Sequence, residues 1–269
     1  MKRWQRVVAV VVAAGAVVAA SGEVAYARPP VPVKTRTVHP VTAPDTMAPG
    51  LVHLRNVGTQ PMMLFRKVHA GVALLVRDVN DQFTLAGHAR LYRQFHAVAT
   101  ILEHADAYVR LRPGTYYLFA ADVDRMHKDD VHVITVQGAT DNARAPQVRP
   151  VTVQLHTNAL IAPRHVHAGR FFHFRNRTHH AQELIYFPVS PSATAAQIKA
   201  FLDAPSLPKL FAIVDVHRFD VSVLVVTGAG EDLYVRYPRR AGRYAAITLA
   251  YDRPTTAIRR HAAAVVTVS

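Results

Sequence analysis

Short runs of β-branched and aromatic residues, closed by Gly, Pro or Asn, set the rhythm of this chain. Val131–Val136, Thr152–Leu155 and Asp232–Tyr237 are the clearest, and runs of this kind predict strands. Side chains alternate faces along a strand, so LVHLRN (51–56) and FFHFRN (171–176) sort in the same way. Val52 and Leu54 share a face with Asn56, and Phe172 and Phe174 share one with Asn176. His53 and Arg55, like His173 and Arg175, point the other way. The aliphatic and aromatic members belong in a core, which leaves the His and Arg pairs on the surface of each half or lining an interface between halves. Two segments depart from the period of two. Ser190-Pro191-Ser192 supplies cap and N1 chemistry for a helix over Ala193–Leu202, with Pro205 just beyond. Leu91, Phe95, Val98 and Ile101 or Leu102 fall near 3.6 spacing and predict another helix over His88–Leu102.

The pattern also repeats. Gly50 leads into the strand ending at Asn56, and Gly169 into the one ending at Asn176. Gly114-Thr115-Tyr116 opens an apolar run to Asp124, and Gly242-Arg243-Tyr244 opens one to Asp252, ten residues from Gly to Asp in both cases. The halves close on HVITV (132–136) and AVVTV (264–268). Landmarks matched in the same order predict a tandem duplication; chance likeness between short strand sequences is the alternative at this level. The first unit spans 45–137 and the second 151–269. Residues 138–150, GATDNARAPQVRP, collect the Gly, Asn, Asp and Pro expected of a linker.

The first 27 residues read as an export signal. Lys2, Arg3 and Arg6 precede an uninterrupted Val, Ala and Gly run from Val7 to Ala20, and Ala25-Tyr26-Ala27 supplies the small residues of a cleavage site before Arg28. The run is shorter than the roughly 20 residues a membrane span needs; an uncleaved anchor is the alternative. The mature chain is therefore expected to be secreted, periplasmic or held at the cell surface, with no membrane span of its own. Residues 28–44, with five prolines, read as an extended lead-in. Cysteine is absent from all 269 residues, so no disulfide supports the fold and packed cores must. The formal charge is +14; three cations and one anion belong to the leader, leaving +12 on the remainder. A balance of that size favours anionic partners, which for an exported protein means cell-surface polymers or proteins rather than nucleic acid. General solubility is the alternative use of the charge.

Once the repeat is laid out, both halves resemble cupredoxin-like domains, the plastocyanin and azurin type. The resemblance rests on Ala168-Gly169 through Asn176, on Glu183-Leu184, and on the turns Pro113-Gly114-Thr115-Tyr116 and Ala241-Gly242-Arg243-Tyr244. It implies an all-β fold of two tandem Greek-key β-sandwiches, each carrying a short helical insertion. It also implies copper, but the departures are chemical. Where the family places a cysteine, this chain has Phe119-Ala120-Ala121 and Ile247-Thr248-Leu249-Ala250. Gln182 stands where a ligand His is usual, and Ala262-Ala263-Ala264 follows His261. A blue-copper centre needs a thiolate beside two imidazoles, so type 1 electron transfer is excluded for this chain.

What remains is a set of candidates. The nearest counterparts of the family ligands are His179, His180 and His261, which would make a residual histidine-only copper or zinc site. His165 and His167 stand two apart, so both leave one strand face; they begin a metal site or are exposed polar residues. Met62, Met63 and Met126 suit Cu(I) or fill core gaps. In YVRYPRRAGR (234–243), Arg236, Arg239, Arg240 and Arg243 interleave with tyrosines and form a candidate anion-docking edge, or a strand and turn with solvated side chains. The chain holds no Gly-x-Ser-x-Gly, no His-Glu-x-x-His and no phosphate loop, and Asp122, Asp124, Glu231 and Asp232 read as turn and strand-end acids. The expected function is a non-enzymatic binding or scaffold module without a cofactor; a copper- or zinc-handling protein using His and Met is the alternative.

Overall fold

The computed structural model describes residues 43–58, 60–81, 85–102, 104–120, 125–140, 151–156, 159–203, 207–215, 223–238, 240–250 and 261–269. The leader, most of the Pro-rich lead-in and most of the linker expected from the sequence lie outside these residues.

The first half runs β1 (Thr46–Met47), β2 (Gly50–Arg55), β3 (Met62–Lys67), α1 (Val72–Asn80), α2 (Leu85–Gln94), β4 (Phe95–Ile101), β5 (Asp106–Leu111), β6 (Gly114–Ala120) and β7 (His132–Val136). The second runs β8 (Val151–His156), β9 (Ala159–Ile161), β10 (His165–Val166), β11 (Phe171–Asn176), β12 (Gln182–Pro188), α3 (Ala195–Asp203), α4 (Leu207–Ile213), β13 (Val223–Thr227), β14 (Asp232–Arg236), β15 (Gly242–Ala250) and β16 (His261–Val268). Two five-stranded sheets have the orders β1-β7-β6-β3-β4 and β10-β16-β15-β12-β13, the same order strand for strand. Each starts with a two-residue strand paired in parallel to the closing strand of its half. Opposite them lies one six-stranded sheet, β2-β5-β14-β11-β8-β9, to which both halves contribute. Each half is a β-sandwich with a helical insertion between the second and third strands, in chain order, of its five-stranded sheet.

The recurring sequence landmarks have physical jobs. Asn56 and Asn176 are both buried, and each amide reaches three backbone carbonyls: Gln60, Ile101 and Leu102 for the first, His180, Thr227 and Gly228 for the second. Tyr116 donates its hydroxyl to the carbonyl of Arg112 at 2.8 Å, and Tyr244 donates to that of Arg240 at 2.9 Å. Gly114 and Gly242, two residues before these tyrosines, have φ of 145° and 147°, a conformation glycine alone adopts without strain.

Phe172, Phe174 and Leu233 from the shared sheet pack against Leu64, Tyr116, Leu184 and Tyr186 in one apolar core that spans both halves. Leu75, Val79 and Leu91 of α1 and α2 cover the outer face of the first five-stranded sheet at Phe65, Tyr117 and Phe119. Ile198, Phe201, Leu210 and Ile213 of α3 and α4 cover the second at Ile185, Phe187 and Ile247. Among the described residues no helix is long and apolar enough to cross a membrane.

Two local expectations need correction. The helix expected over His88–Leu102 ends at Gln94, and Phe95–Ile101 is a strand. Phe95, Ala97, Val98, Ala99 and Ile101 are all buried; a strand covered on both faces is apolar throughout and so satisfies a helical spacing by default. The helix expected over Ala193–Leu202 is present as α3, but its cap is Thr194 rather than the Ser190-Pro191-Ser192 segment. The Gln197 N–H donates to Thr194 Oγ1 at 3.2 Å, and the Thr194 N–H donates to Gln197 Oε1 at 2.8 Å, a reciprocal capping box.

Candidate functional site

The six-stranded sheet closes on a seam between β5 and β14. Their sequences, DAYVR and DLYVR, pair antiparallel with Tyr108 opposite Tyr234 and with Ala107 and Val109 opposite Val235 and Leu233. Equivalent residues of the two halves therefore face each other across a local two-fold axis. Backbone register extends this into rows on the outer face. The middle row is His53–Tyr108–Tyr234–His173. A flanking row brings Arg55, Asp106, Arg236 and Phe171 together; its two-fold counterpart holds Arg175, Asp232, Arg110 and Leu51.

Side chains follow the same symmetry. The His53 ring stacks on Tyr108 at 4.5 Å and 11°, and His173 stacks on Tyr234 at 4.4 Å and 10°. His53 Nε2 lies 3.3 Å from Asp106 Oδ1, and His173 Nε2 lies 3.4 Å from Asp232 Oδ2. Arg236 donates from Nε to Asp106 Oδ2 at 3.3 Å, across the seam, and its guanidinium sits 4.1 Å above the Phe171 ring. His173, then Arg175 and Arg110, hold the Asp232 carboxyl below its ordinary range although it is partly buried. Each aspartate is thus flanked by an imidazole and by an arginine of the other half.

A second seam joins β4 to the end of β13. The Gly228 N–H donates to the Ala97 carbonyl at 2.6 Å. His96 Nε2 lies 2.9 Å from Glu231 Oε1, and the Arg66 guanidinium lies 3.9 Å from the same oxygen. Glu231 is buried, so this carboxylate is held by the Arg66 guanidinium and the His96 imidazole rather than by water. Gly228 makes room: a Cβ there would stand 2.4 Å from the His96 ring. Nearby, burial and then the Glu183 charge push the Tyr92 phenol well above its usual range.

The sequence candidates fall in separate places. Arg236 belongs to the shared sheet, whereas Arg243 is the second residue of β15 and donates to the Pro191 carbonyl at 2.7 Å. Arg240 is exposed, and Arg239 lies outside the described residues. His165 and His167 are exposed on either side of buried Val166. His179 is exposed; His180 is half-buried, with its carbonyl accepting from Asn176 and Thr178. Strand register sets the His261 backbone opposite Leu249, and its side chain lies outside the description. Among the described residues no three His, Cys, Asp or Glu side chains gather as a metal-holding group. Met63 and Met126 are buried core residues and Met62 packs on the central core. Where the resemblance led one to expect a cysteine stand buried Phe119, Ile247 and Thr248, the last donating to the Ala262 carbonyl. With no cysteine in the chain, copper held through a thiolate does not fit this donor set.

No protein-family model and no curated protein matches the chain. Among solved structures it is similar to reduced auracyanin from Roseiflexus castenholzii, at 14% identity over 45% of this chain and 98% of that one, with a TM-score of 0.26. It is similar to auracyanin A, a blue copper protein from Chloroflexus aurantiacus, at 15% identity over 45% and 99%, TM-score 0.25. It is also similar to a copper-containing nitrite reductase from Thermus scotoductus SA-01, at 12% identity over 83% and 53%, TM-score 0.24. At these TM-scores the likeness bears on neither metal nor activity.

The seam is what sequence reasoning missed. Its signal was present in the repeated Asp-x-Tyr-Val-Arg of residues 106–110 and 232–236, next to the repeated His and Arg pairs already placed on an outward face.

Proposed function

We propose that this chain is an exported, non-enzymatic binding or scaffold protein that keeps a cupredoxin-like frame without its redox centre and offers a basic face to an anionic partner. The donor set carries the reading. No thiolate exists in the chain, and the corresponding strand ends are filled by Phe119, Ile247 and Thr248, which pack and hydrogen-bond internally. Across the two seams Arg236 meets Asp106, and His96 and Arg66 meet Glu231. The excess of cations, 32 Lys and Arg against 18 Asp and Glu, remains to be used. An anion-binding role predicts retention on immobilised heparin at low salt and release as salt rises, because each phosphate- or sulfate-like contact frees condensed counterions. A protein that passes unretained at low salt is not an anion-binding module.

A further inference from the structure

The outer face of the six-stranded sheet combines repetition with charge. Among the described residues, Arg55, Arg110, Arg175 and Arg236 stand on it against Asp106 and Asp232. Both acids are already neutralised by neighbours: His53 and Arg236 flank Asp106, while His173, Arg175 and Arg110 surround Asp232. The field left over is positive. The helices pack on the other two sheets, and His53, Arg55 and Arg110 are exposed.

The aromatic rings narrow the choice of occupant. Tyr108 and Tyr234 are each stacked face to face with an imidazole, and Tyr108 also meets Phe171 edge-on at 5.5 Å. With one face of each tyrosine ring taken by an imidazole, the surface is poorer in the open stacking platforms that single-stranded nucleic-acid binders rely on. Guanidinium forks, imidazole N–H and phenol O–H groups are what the face offers, and they suit sulfate and carboxylate oxygens. Finally, the two-fold axis doubles everything. An Arg55–Arg236–His53 cradle and an Arg175–Arg110–His173 cradle lie on either side of it, with β2 and β11 three strand spacings apart, about 14 Å.

We infer that this sheet face is the docking surface for a linear anionic polysaccharide, bound across both cradles at once. The inference rests on the anion-binding reading above and specifies its site. A chain with recurring acidic groups engages the second cradle intramolecularly, which raises avidity by about 10²–10⁴ over a single-cradle ligand.

The test uses the full chain and size-fractionated heparin fragments in titration calorimetry over a salt series. Arg55→Gln/Arg175→Gln removes one arginine from each cradle without touching the ion pair across the seam. Lys128→Gln/Lys209→Gln removes the same charge from exposed sites elsewhere. The first variant is expected to weaken heparin binding at least tenfold and to lower the log–log salt slope by about 1.5–2, while the second stays within about twofold of wild type and both keep the wild-type melting temperature. An octasaccharide should bind at least tenfold tighter than a disaccharide. Wild-type binding that both variants lose equally, or that only Arg240→Gln impairs, overturns the placement and leaves the anion-binding reading intact. Equal affinity of octasaccharide and disaccharide overturns the two-cradle geometry. A wild-type chain that ignores heparin altogether removes the underlying reading as well.

Discussion

Replacing Asn176 with alanine should be among the most damaging single changes in this protein. The side chain is buried, and its amide reaches the carbonyls of His180, Thr227 and Gly228 at 2.9, 3.2 and 2.9 Å. Its Oδ1 accepts from the Thr178 N–H at 3.0 Å and from the Thr178 hydroxyl. Truncation strands those groups where water does not replace the lost partner. The amide has two hydrogens for three carbonyls, so no more than four full hydrogen bonds are lost; at about 1 kcal/mol each, Asn176→Ala should cost roughly 3–4 kcal/mol. For a domain of this size that corresponds to a melting-temperature drop of roughly 6–15 °C. Asn176→Asp should be worse than alanine, because it brings a carboxylate against three carbonyl oxygens and supplies no donor. Asn56→Ala should cost a similar amount, since its amide holds Gln60, Ile101 and Leu102 in the matching way. Urea unfolding followed by far-ultraviolet circular dichroism measures both. Each variant should unfold in a single transition, because one core and one sheet span both halves. A loss below about 1 kcal/mol, or an aspartate variant more stable than the alanine variant, would refute this account of the buried amides.

Gly228→Ala should destabilise by about 1–3 kcal/mol, because the new methyl group forces the His96 ring away from Glu231; an unchanged urea midpoint would contradict it. Metal analysis after dialysis of untagged protein against Cu(II) and Zn(II) should give well under one ion per chain, identical in wild type and His180→Ala/His261→Ala; stoichiometric metal lost in the double variant would establish the metal-handling alternative. The Asp232 carboxyl lies below its ordinary value of 3.8 in the folded state, so its contribution is present above that value and lost as pH falls through the folded one. Asp232→Asn should flatten the acid side of the stability curve, and an acid limb unchanged from wild type would count against the His173 contact. At the other extreme, burial pushes the Tyr186 phenol far up. The unfolded chain ionises near 10 while the folded one does not, so stability should fall as pH rises past that point, and Tyr186→Phe should lessen the fall.

How much of this was legible beforehand depended on sequence distance. The alternation in FFHFRN placed Phe172 and Phe174 inside and His173 outside, and the structure agrees: both phenylalanines are fully buried while His173 keeps partial exposure. That inference uses only neighbours along one strand. The two sandwiches were legible because Gly, Asn and Tyr landmarks recur, each fixed by a local need: a positive φ at Gly114 and Gly242, a loop amide at Asn56 and Asn176. Strand β4 was misread as helix because burial on two faces erases the polar positions that distinguish the periods. The repeated Asp-x-Tyr-Val-Arg could be read, but the pairing of its two copies at the seam could not. Which strand pairs with β5 depends on contacts formed across the whole chain, and Arg236, read as part of a basic edge, is bonded to an aspartate in the other half. His96 and Glu231 are likewise remote in sequence and meet at 2.9 Å.

The antiparallel pairing of β5 with β14 is the arrangement two identical subunits would adopt, with each residue obliged to complement its own copy. Carrying both partners on one polypeptide lifts that obligation. The position equivalent to Glu231 in the first half is Ala105, as their matching carbonyl bonds to the Asn176 and Asn56 N–H groups indicate. A charge at one and a methyl group at the other is a division of labour that no homodimer can make. The fused molecule can therefore specialise one side of its axis while the other preserves the join.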